Sequence, residues 1–82
     1  MLNISYSDNI LKAISKIKDK TEKEKIKKQI IKIIKNPAIG KPLKYSRKGT
    51  RELYLGSYRL AYSYIKNENK IILLDFYHKD EQ

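Results

Sequence analysis

The sequence predicts an α+β domain of element order β-α-α-β-β-β, in which a helical hairpin packs on one face of a small antiparallel sheet. Its 82 residues are enough for one small domain, so we expect residues 1–82 to fold as a single unit. Apolar side chains follow a helical period on either side of a break at Lys18-Asp19-Lys20, within residues 8–35, and a strand period through residues 51–77. Gly56-Ser57 separates two alternating runs and is typical of a two-residue type II′ hairpin turn. Together these patterns predict helices layered on one sheet.

The N-terminal segment predicts a short strand followed by the first helix. Residues 2–6 alternate between apolar and polar side chains, as a strand does. Ser7 is a suitable N-cap for a helix that starts at Asp8, whose carboxylate suits the positive end of the helix dipole. Four apolar side chains then share one helical face: Ile10, Leu11, Ile14 and Ile17. This stripe predicts a helix with one side packed against the sheet.

A second helix is predicted over residues 21–35. Thr21 followed by Glu24 matches a capping box in which Thr21 is the N-cap. The apolar stripe of this helix consists of Ile26, Ile30, Ile33 and Ile34, and lysines cover its other sides. Asn36-Pro37 ends the helix because the residue before a proline avoids the α conformation. Only about three residues join the two helices, so we expect an antiparallel hairpin.

Three strands are predicted after a loop over residues 38–50. They span Arg51 to Leu55, Tyr58 to Ile65 and Lys70 to Tyr77, with a second turn at residues 67–69. The Gly56-Ser57 turn fixes the register of the first two strands, because it places Leu55 opposite Tyr58. The pairing then continues away from the turn, with Tyr54 opposite Arg59, Leu53 opposite Leu60 and Glu52 opposite Ala61.

This register sorts the side chains between two faces of the sheet. The apolar face belongs under the helices and holds Leu53, Leu55, Tyr58, Leu60 and Tyr62. The opposite face, called the open face below, holds Glu52, Tyr54, Arg59, Ala61 and Ser63. No helix is predicted to cover the open face, which makes Arg59 in its middle a candidate functional residue.

The composition excludes several classes of site. Without cysteine the chain has no disulfide, no thiolate nucleophile and no cysteine-bound metal, and the single histidine, His78, cannot build a histidine-rich metal site. We therefore expect no cofactor. No apolar run is long enough to span a membrane, and the N-terminus lacks the layout of a signal peptide. We expect a cytoplasmic protein with no membrane contact.

The positive charge is concentrated in one part of the chain. The net charge is +10, and the excess lies between Lys12 and Lys48. Such a field attracts a polyanion, whether nucleic acid, an acidic protein segment or an anionic membrane. A lysine-rich composition alone does not explain why the excess is confined to one stretch. Four basic residues that flank the open face are candidates for contacts with the RNA backbone, or else form a solvated surface: Lys44, Arg47, Lys48 and Arg51.

Two motifs in the second half of the chain point to a family. The first is Asn36-Pro37-x-x-Gly40-Lys41-Pro42-Leu43, and the second is Leu55-Gly56-Ser57-Tyr58-Arg59-Leu60-Ala61-Tyr62 with a later strand that runs into His78-Lys79-Asp80. Together they resemble the RelE/ParE family of toxins from toxin–antitoxin pairs, over residues 36–80 by motif and over the whole chain by element order. The resemblance implies a cognate RelB-like antitoxin as partner. RelE-like members enter the ribosomal A site and cleave messenger RNA, whereas ParE-like members poison DNA gyrase.

The resemblance also implies roles for residues on and near the open face, in a metal-independent endoribonuclease or mRNA interferase. Arg59 would stabilise the phosphorane that forms when the RNA 2′-hydroxyl attacks the scissile phosphate. Lys79 is the basic residue that follows the last strand. From the residues alone, His78 is suited to proton transfer near neutral pH, and Tyr54 is suited to stacking on a base. The structural alternatives are a strand-end histidine, a half-exposed strand tyrosine and an Arg59–Glu52 ion pair.

Three functional interpretations remain open on this basis. The chain is a ribosome-dependent endoribonuclease, a gyrase-directed toxin without nuclease chemistry, or an RNA-binding member with weakened catalysis. The short chain and the basic block favour the first over the second. Active members often carry lysine or arginine at the positions of Glu52 and Tyr54, and their absence favours the third.

Overall fold

The computed structural model of the chain describes residues 2–43 and 49–81. Within these residues the elements are β1 (Asn3–Tyr6), α1 (Asp8–Ser15), α2 (Lys20–Lys35), β2 (Lys41–Pro42), β3 (Thr50–Leu55), β4 (Tyr58–Ile65) and β5 (Lys70–His78), with short 3₁₀-helices at Lys66–Glu68 and Lys79–Glu81. The strands form one sheet in the order β1-β5-β4-β3-β2. The predicted α+β class is confirmed. No helix of the described segments is long and apolar enough to cross a membrane.

The sheet differs from the predicted one at its two edges. β1 pairs in parallel with β5, so the sheet is mixed rather than wholly antiparallel. β2 lies in the segment predicted as a loop and pairs with β3, where Lys41 faces Glu52 and Pro42 faces Arg51. Two residues are too few to show a strand period, and a proline is tolerated there because β2 is an edge strand.

The hairpin between β3 and β4 has the predicted register. Leu55 pairs with Tyr58, Tyr54 with Arg59, and the pairing continues in step to Thr50 and Ser63. Gly56 has φ +60° and Ser57 does not have a positive φ, which is the pattern of a type II′ turn. The prediction for this hairpin is confirmed, and so is the separation of its two faces.

One of the two predicted helix caps is confirmed and the other is wrong. Ser7 caps α1, because its Oγ accepts a hydrogen bond from the Ile10 N–H at 3.1 Å, and the same hydroxyl donates to the Leu74 carbonyl of β5. Helix α2 is capped by Asp19 rather than Thr21, since Asp19 Oδ1 accepts from the Thr21 N–H at 2.8 Å. An aspartate is as good an N-cap as a threonine, and here it starts the helix at Lys20.

The hydrophobic core lies between the helices and one face of the sheet. Ile10 of α1 and Ile26 and Ile33 of α2 are buried against five sheet residues, namely Leu60, Tyr62, Ile71, Leu73 and Phe76. Burying each of these side chains contributes roughly 1.5–3 kcal/mol. The open face is left without a helix, as the alternation in β3 and β4 predicted.

A β-bulge in β5 decides which side chains of its second half face the helices. Tyr62 pairs with Leu73, but the preceding residue, Ala61, pairs with Asp75, which leaves Leu74 as the extra residue. A shift of one residue moves every later side chain to the other face. Phe76 therefore packs in the core, and the carboxylate of Asp75 is kept out of it.

Candidate functional site

Arg59 and Tyr54 form a stacked pair on the open face. They lie directly opposite each other in β4 and β3, and the Arg59 guanidinium carbon sits 3.9 Å from the centroid of the Tyr54 ring. Arg59 Nη1 also donates to the carbonyls of Gly56 at 3.0 Å and Tyr58 at 2.9 Å. These contacts hold the guanidinium over the ring. Tyr54 is 54% exposed, so the pair presents a cation and an aromatic surface to solvent.

The carboxylate beside this pair is covered rather than paired with the arginine. Glu52 is only 5% exposed although no helix lies over it, and the Tyr77 hydroxyl donates a hydrogen bond to its Oε2. Tyr77 lies opposite Arg59 in β5, so its side chain crosses β4 at the small Ala61 to reach Glu52. Within residues 2–43 and 49–81 Arg59 forms no ion pair, and the alternative of an Arg59–Glu52 pair is wrong. Sequence reasoning missed Tyr77, because strict alternation in β5 places it opposite Tyr58 and only the bulge brings it opposite Arg59.

His78 and Lys79 do not join Arg59 on the open face. His78 pairs with Tyr58 and lies on the helix-covered side, where the two rings meet edge to face with centroids 5.2 Å apart. Its Nδ1 accepts from the Asp80 N–H at 3.2 Å. Lys79 is exposed at the hairpin turn, because its backbone N–H donates to the Ser57 carbonyl at 2.8 Å. The one side chain suited to proton transfer at neutral pH is therefore separated from Arg59 by the sheet.

Tyr62 ties the first sequence motif to the sheet. Its hydroxyl is buried, donates to the Pro37 carbonyl at 2.7 Å and accepts from the Gly40 N–H at 2.8 Å. A Cβ on Gly40 would lie 2.6 Å from this hydroxyl, so the close approach requires glycine. Burial raises the pKa of Tyr62 above its usual value of 10.0, opposed by the Gly40 N–H and the charge of Arg51. Pro37 and Gly40 of the motif thus have a structural role.

Arg51, a predicted RNA-contact residue, is engaged with the same loop. It pairs with Tyr62 in the register and so belongs to the helix-covered face rather than the open face. Its Nη1 donates to the carbonyls of Ala38 at 3.2 Å and Gly40 at 2.7 Å. The other three predicted RNA-contact residues lie outside the described residues: Lys44, Arg47 and Lys48. The structure therefore brings together Arg59 and Tyr54, leaves His78 and Arg51 on the other face, and puts Lys79 at the turn.

Comparisons with known proteins agree with this fold. The model of the family described as the ParE toxin of the type II toxin–antitoxin system, parDE, matches residues 4–82. The chain is similar to a chain of the intact E. coli RelBE toxin–antitoxin complex, with 22% identity, a TM-score of 0.81, and coverage of 95% of this chain and 96% of that one. It is similar to the YoeB dimer from Staphylococcus aureus, with 25% identity, a TM-score of 0.77, and coverage of 94% and 95%. For the archaeal RelE–RelB complex from Pyrococcus horikoshii OT3 the identity is 16%, the TM-score 0.78, and the coverage 99% and 98%. A search of curated proteins found no match.

Proposed function

Because the chain belongs to the ParE toxin family of type II toxin–antitoxin systems, we propose that it blocks translation by binding and cleaving messenger RNA on the ribosome through its open face. Such a toxin is kept inactive by a cognate antitoxin. The resemblance of the hairpin motif to RelE-like toxins supports messenger RNA on the ribosome as the target. The arrangement of Arg59 and Tyr54 supports the open face as the surface that contacts it.

The observation that supports an RNA target is the exposed Tyr54–Arg59 pair. Single-stranded RNA is bound by stacking its bases on aromatic rings and by contacts from cations to its phosphates. The Tyr54 ring is half exposed, and Arg59 lies over it at 3.9 Å. Among residues 2–43 and 49–81, the hydrogen bonds of the guanidinium are those of Nη1 to carbonyls of the hairpin. The remaining N–H groups of the guanidinium are then available to grip a phosphate with parallel hydrogen bonds.

The chemistry that Arg59 offers is stabilisation of charge rather than transfer of a proton. Attack of a 2′-hydroxyl on the adjacent phosphate concentrates negative charge on the phosphorane oxygens, and a fixed guanidinium stabilises that charge. Removing one such donor commonly costs about 10²- to 10³-fold in rate. The 2′-oxygen forms a bond to phosphorus as the bond from phosphorus to the 5′-oxygen breaks. The 2′-hydroxyl must therefore lose a proton, and the leaving 5′-oxygen must gain one, through groups other than His78, which lies on the opposite face. We assign these two proton transfers to groups of the ribosome or the RNA, or to Lys79 at the hairpin turn.

The proposed partner is an antitoxin with an acidic segment that folds as it binds. The solved complexes of E. coli RelBE and P. horikoshii RelE–RelB contain both proteins of the pair. The net charge of +10 on a domain of 82 residues favours an acidic partner. A stable complex of this kind buries more than about 1,200 Å². We expect the product of a neighbouring small gene to co-purify at low salt and to abolish the effect on translation.

Gyrase inhibition is the second candidate function, and one observation favours it. The separation of His78 from Arg59 leaves the Tyr54–Arg59 pair without an adjacent proton-transferring imidazole. A toxin that acts by binding a protein needs no such group. The family model that matches residues 4–82 is also described as that of the ParE toxin.

Two assays on the purified toxin separate these functions. In a reconstituted translation reaction we expect protein synthesis to stop, with new 5′ ends on the messenger RNA that appear only when ribosomes are present. In a supercoiling assay with purified gyrase we expect no effect at the same toxin concentration. Inhibited supercoiling with unaffected translation would replace the proposal by the gyrase function. Arrested translation with intact messenger RNA would leave RNA binding and refute cleavage.

A further inference from the structure

A cleft opens on the helix-covered side of the sheet, at the same end as the Tyr54–Arg59 pair. It has a volume of about 570 Å³ and lies between α1 and the ends of β4 and β5. Its floor is formed by the rings of Tyr58, Phe76 and His78, and Lys12 and Lys16 line the wall on α1. We call it the aromatic cleft. None of the roles proposed above for the open face uses it.

The floor of the aromatic cleft is a fixed aromatic surface. The ring of Tyr58 stacks on Phe76 with centroids 4.9 Å apart and an angle of 7° between the planes. Phe76 belongs to the core, so it anchors this stack. The rings of His78 and Tyr58 lie perpendicular to each other, at an angle of 89° with centroids 5.2 Å apart. Tyr58 nevertheless remains 39% exposed, which leaves ring surface available to a flat ligand.

The wall of the cleft supplies positive charge at one end. Lys12 and Lys16 are four residues apart, so they lie on the same side of α1 one turn from each other. One carboxylate, that of Asp75, also belongs to a residue that lines the aromatic cleft. The neighbouring cleft beyond the α1–α2 connection is mixed in charge, since Lys16 and Lys18 line it together with Asp19 and Glu22. An anionic group is therefore favoured beside Lys12 and Lys16, on the α1 wall and away from the Asp75 carboxylate. A ligand with a flat ring on one side and a phosphate on the other matches this polarity.

The cleft is continuous with the proposed RNA surface around the hairpin end. Tyr58 and Arg59 are consecutive in β4, so their side chains lie on opposite faces at the same position of the sheet. The turn between the faces is Gly56-Ser57, and exposed Lys79 is held beside it by the hydrogen bond to Ser57. The backbone of a single RNA strand that leaves Arg59 can therefore pass Lys79 before it reaches the cleft.

We propose that the aromatic cleft is a second RNA subsite, which stacks one base on Tyr58 and binds the adjacent phosphate between Lys12 and Lys16. A single strand then runs from the open face around the hairpin turn into the cleft. This inference rests on the proposed RNA target and adds to it a second face of the sheet. It gives Tyr58, predicted from the sequence as a core residue, a binding role as well.

The test measures binding of a fluorescein-labelled single-stranded RNA of about twelve nucleotides to the purified toxin over a range of salt concentrations. Lys12→Ala/Lys16→Ala is compared with Lys25→Ala/Lys28→Ala, which removes the same charge from exposed positions of α2. Loss of the one phosphate held between the two lysines should reduce the slope of log K against log salt by about 0.7, and the control pair should change it much less. Tyr58→Leu should weaken binding about 5- to 100-fold, whereas Tyr58→Phe keeps the ring and should bind like the wild type.

The outcomes separate this inference from the proposed function. Cleft variants that bind RNA like their controls, while the wild type still arrests translation, would overturn the subsite and leave the function standing. A wild-type protein that binds RNA as expected but leaves translation unaffected would refute the proposed function and leave the subsite standing. Cleft variants that lose antitoxin binding and keep RNA binding would assign the cleft to a protein and overturn the proposal. A wild type that does not bind the RNA at all would also overturn it, and thermal melts show that each variant is folded.

Discussion

Replacing Tyr62 by phenylalanine removes a single oxygen atom that joins the first motif to the sheet. The hydroxyl lies in the core, donates to the Pro37 carbonyl at 2.7 Å and accepts from the Gly40 N–H at 2.8 Å. Without it, both backbone groups lose their partner at a site where the Tyr62 side chain is fully buried. Leaving a buried polar group unsatisfied costs about 1–3 kcal/mol. We therefore expect a loss near 2 kcal/mol in the free energy of unfolding.

A second substitution at the same contact tests whether the close approach is the cause. Alanine at Gly40 would place a Cβ 2.6 Å from the Tyr62 hydroxyl and 2.8 Å from its Cε1. Such overpacking costs roughly 1–3 kcal/mol. In the double variant the hydroxyl is gone and only the weaker clash with the ring remains. The double variant should therefore lose less stability than the sum of the losses in the two single variants, by at least about 0.5 kcal/mol.

Urea unfolding of the wild type, both single variants and the double variant measures these quantities. A loss near 2 kcal/mol also lowers the melting temperature by about 8–16 °C in a domain of this size. Tyr64→Phe is the matched control, because Tyr64 packs beside the core on the same face and its hydroxyl forms no hydrogen bond within the described residues. Strictly additive losses, or a Tyr62→Phe variant as stable as the control, would refute the reasoning.

Three further predictions concern stability. The pKa of Tyr62 is raised in the folded chain, so above pH 10.0 the unfolded chain releases a proton that the folded chain retains. The free energy of unfolding should therefore fall as the pH rises from 10.0 through the pKa of the folded state. Urea titrations at alkaline pH should show a smaller fall for Tyr62→Phe than for the wild type. Asn69 has φ 51°, so Asn69→Ala should cost about 1 kcal/mol and Asn69→Gly little, as read from urea midpoints; equal midpoints for the two variants would argue against backbone strain. Tyr77→Phe removes the hydroxyl donor of the buried Glu52 and should lower stability by about 1–3 kcal/mol in thermal melts, and an unchanged melt would mean that water replaces the donor.

The hairpin could be predicted from sequence because a local signal fixes it. Gly56 supplies the positive φ that a type II′ turn requires, and the turn then sets every pair from Leu55–Tyr58 back to Thr50–Ser63. The same register correctly separated Arg59 and Tyr54 from the core. The pairing of β1 with β5 had no comparable local signal, because a parallel pair is joined by a long crossover and not by a turn.

The position of His78 could not be predicted from alternation, because the bulge in β5 reverses it. Counting from the turn at residues 66–69 without a bulge places His78 on the same face as Arg59. The extra residue, Leu74, moves Phe76 and His78 to the helix-covered face. The signal was present in the order Leu73-Leu74-Asp75-Phe76, since strict alternation would have put the Asp75 carboxylate in the core.

Arg51 shows a different limit of sequence reasoning. A basic residue beside a basic loop is typical of a nucleic-acid contact, and the sequence gives no sign that carbonyl oxygens of a distant loop surround it. In the structure its guanidinium binds the carbonyls of Ala38 and Gly40. Its predicted contact with RNA stays a prediction, and the hydrogen bonds give it a structural role that does not depend on RNA.

The rate at which ribosome-bound messenger RNA is cleaved by Arg59→Ala, relative to the wild type, tests the central claim most directly. Arg59→Lys is measured beside it, because lysine keeps the charge but lacks the planar fork. The side chain is half exposed on the open face, so both variants should melt close to the wild type. We expect Arg59→Ala to lose about 10²-fold or more in cleavage rate and Arg59→Lys to recover little of it. A folded Arg59→Ala variant that cleaves messenger RNA at the wild-type rate would contradict the account.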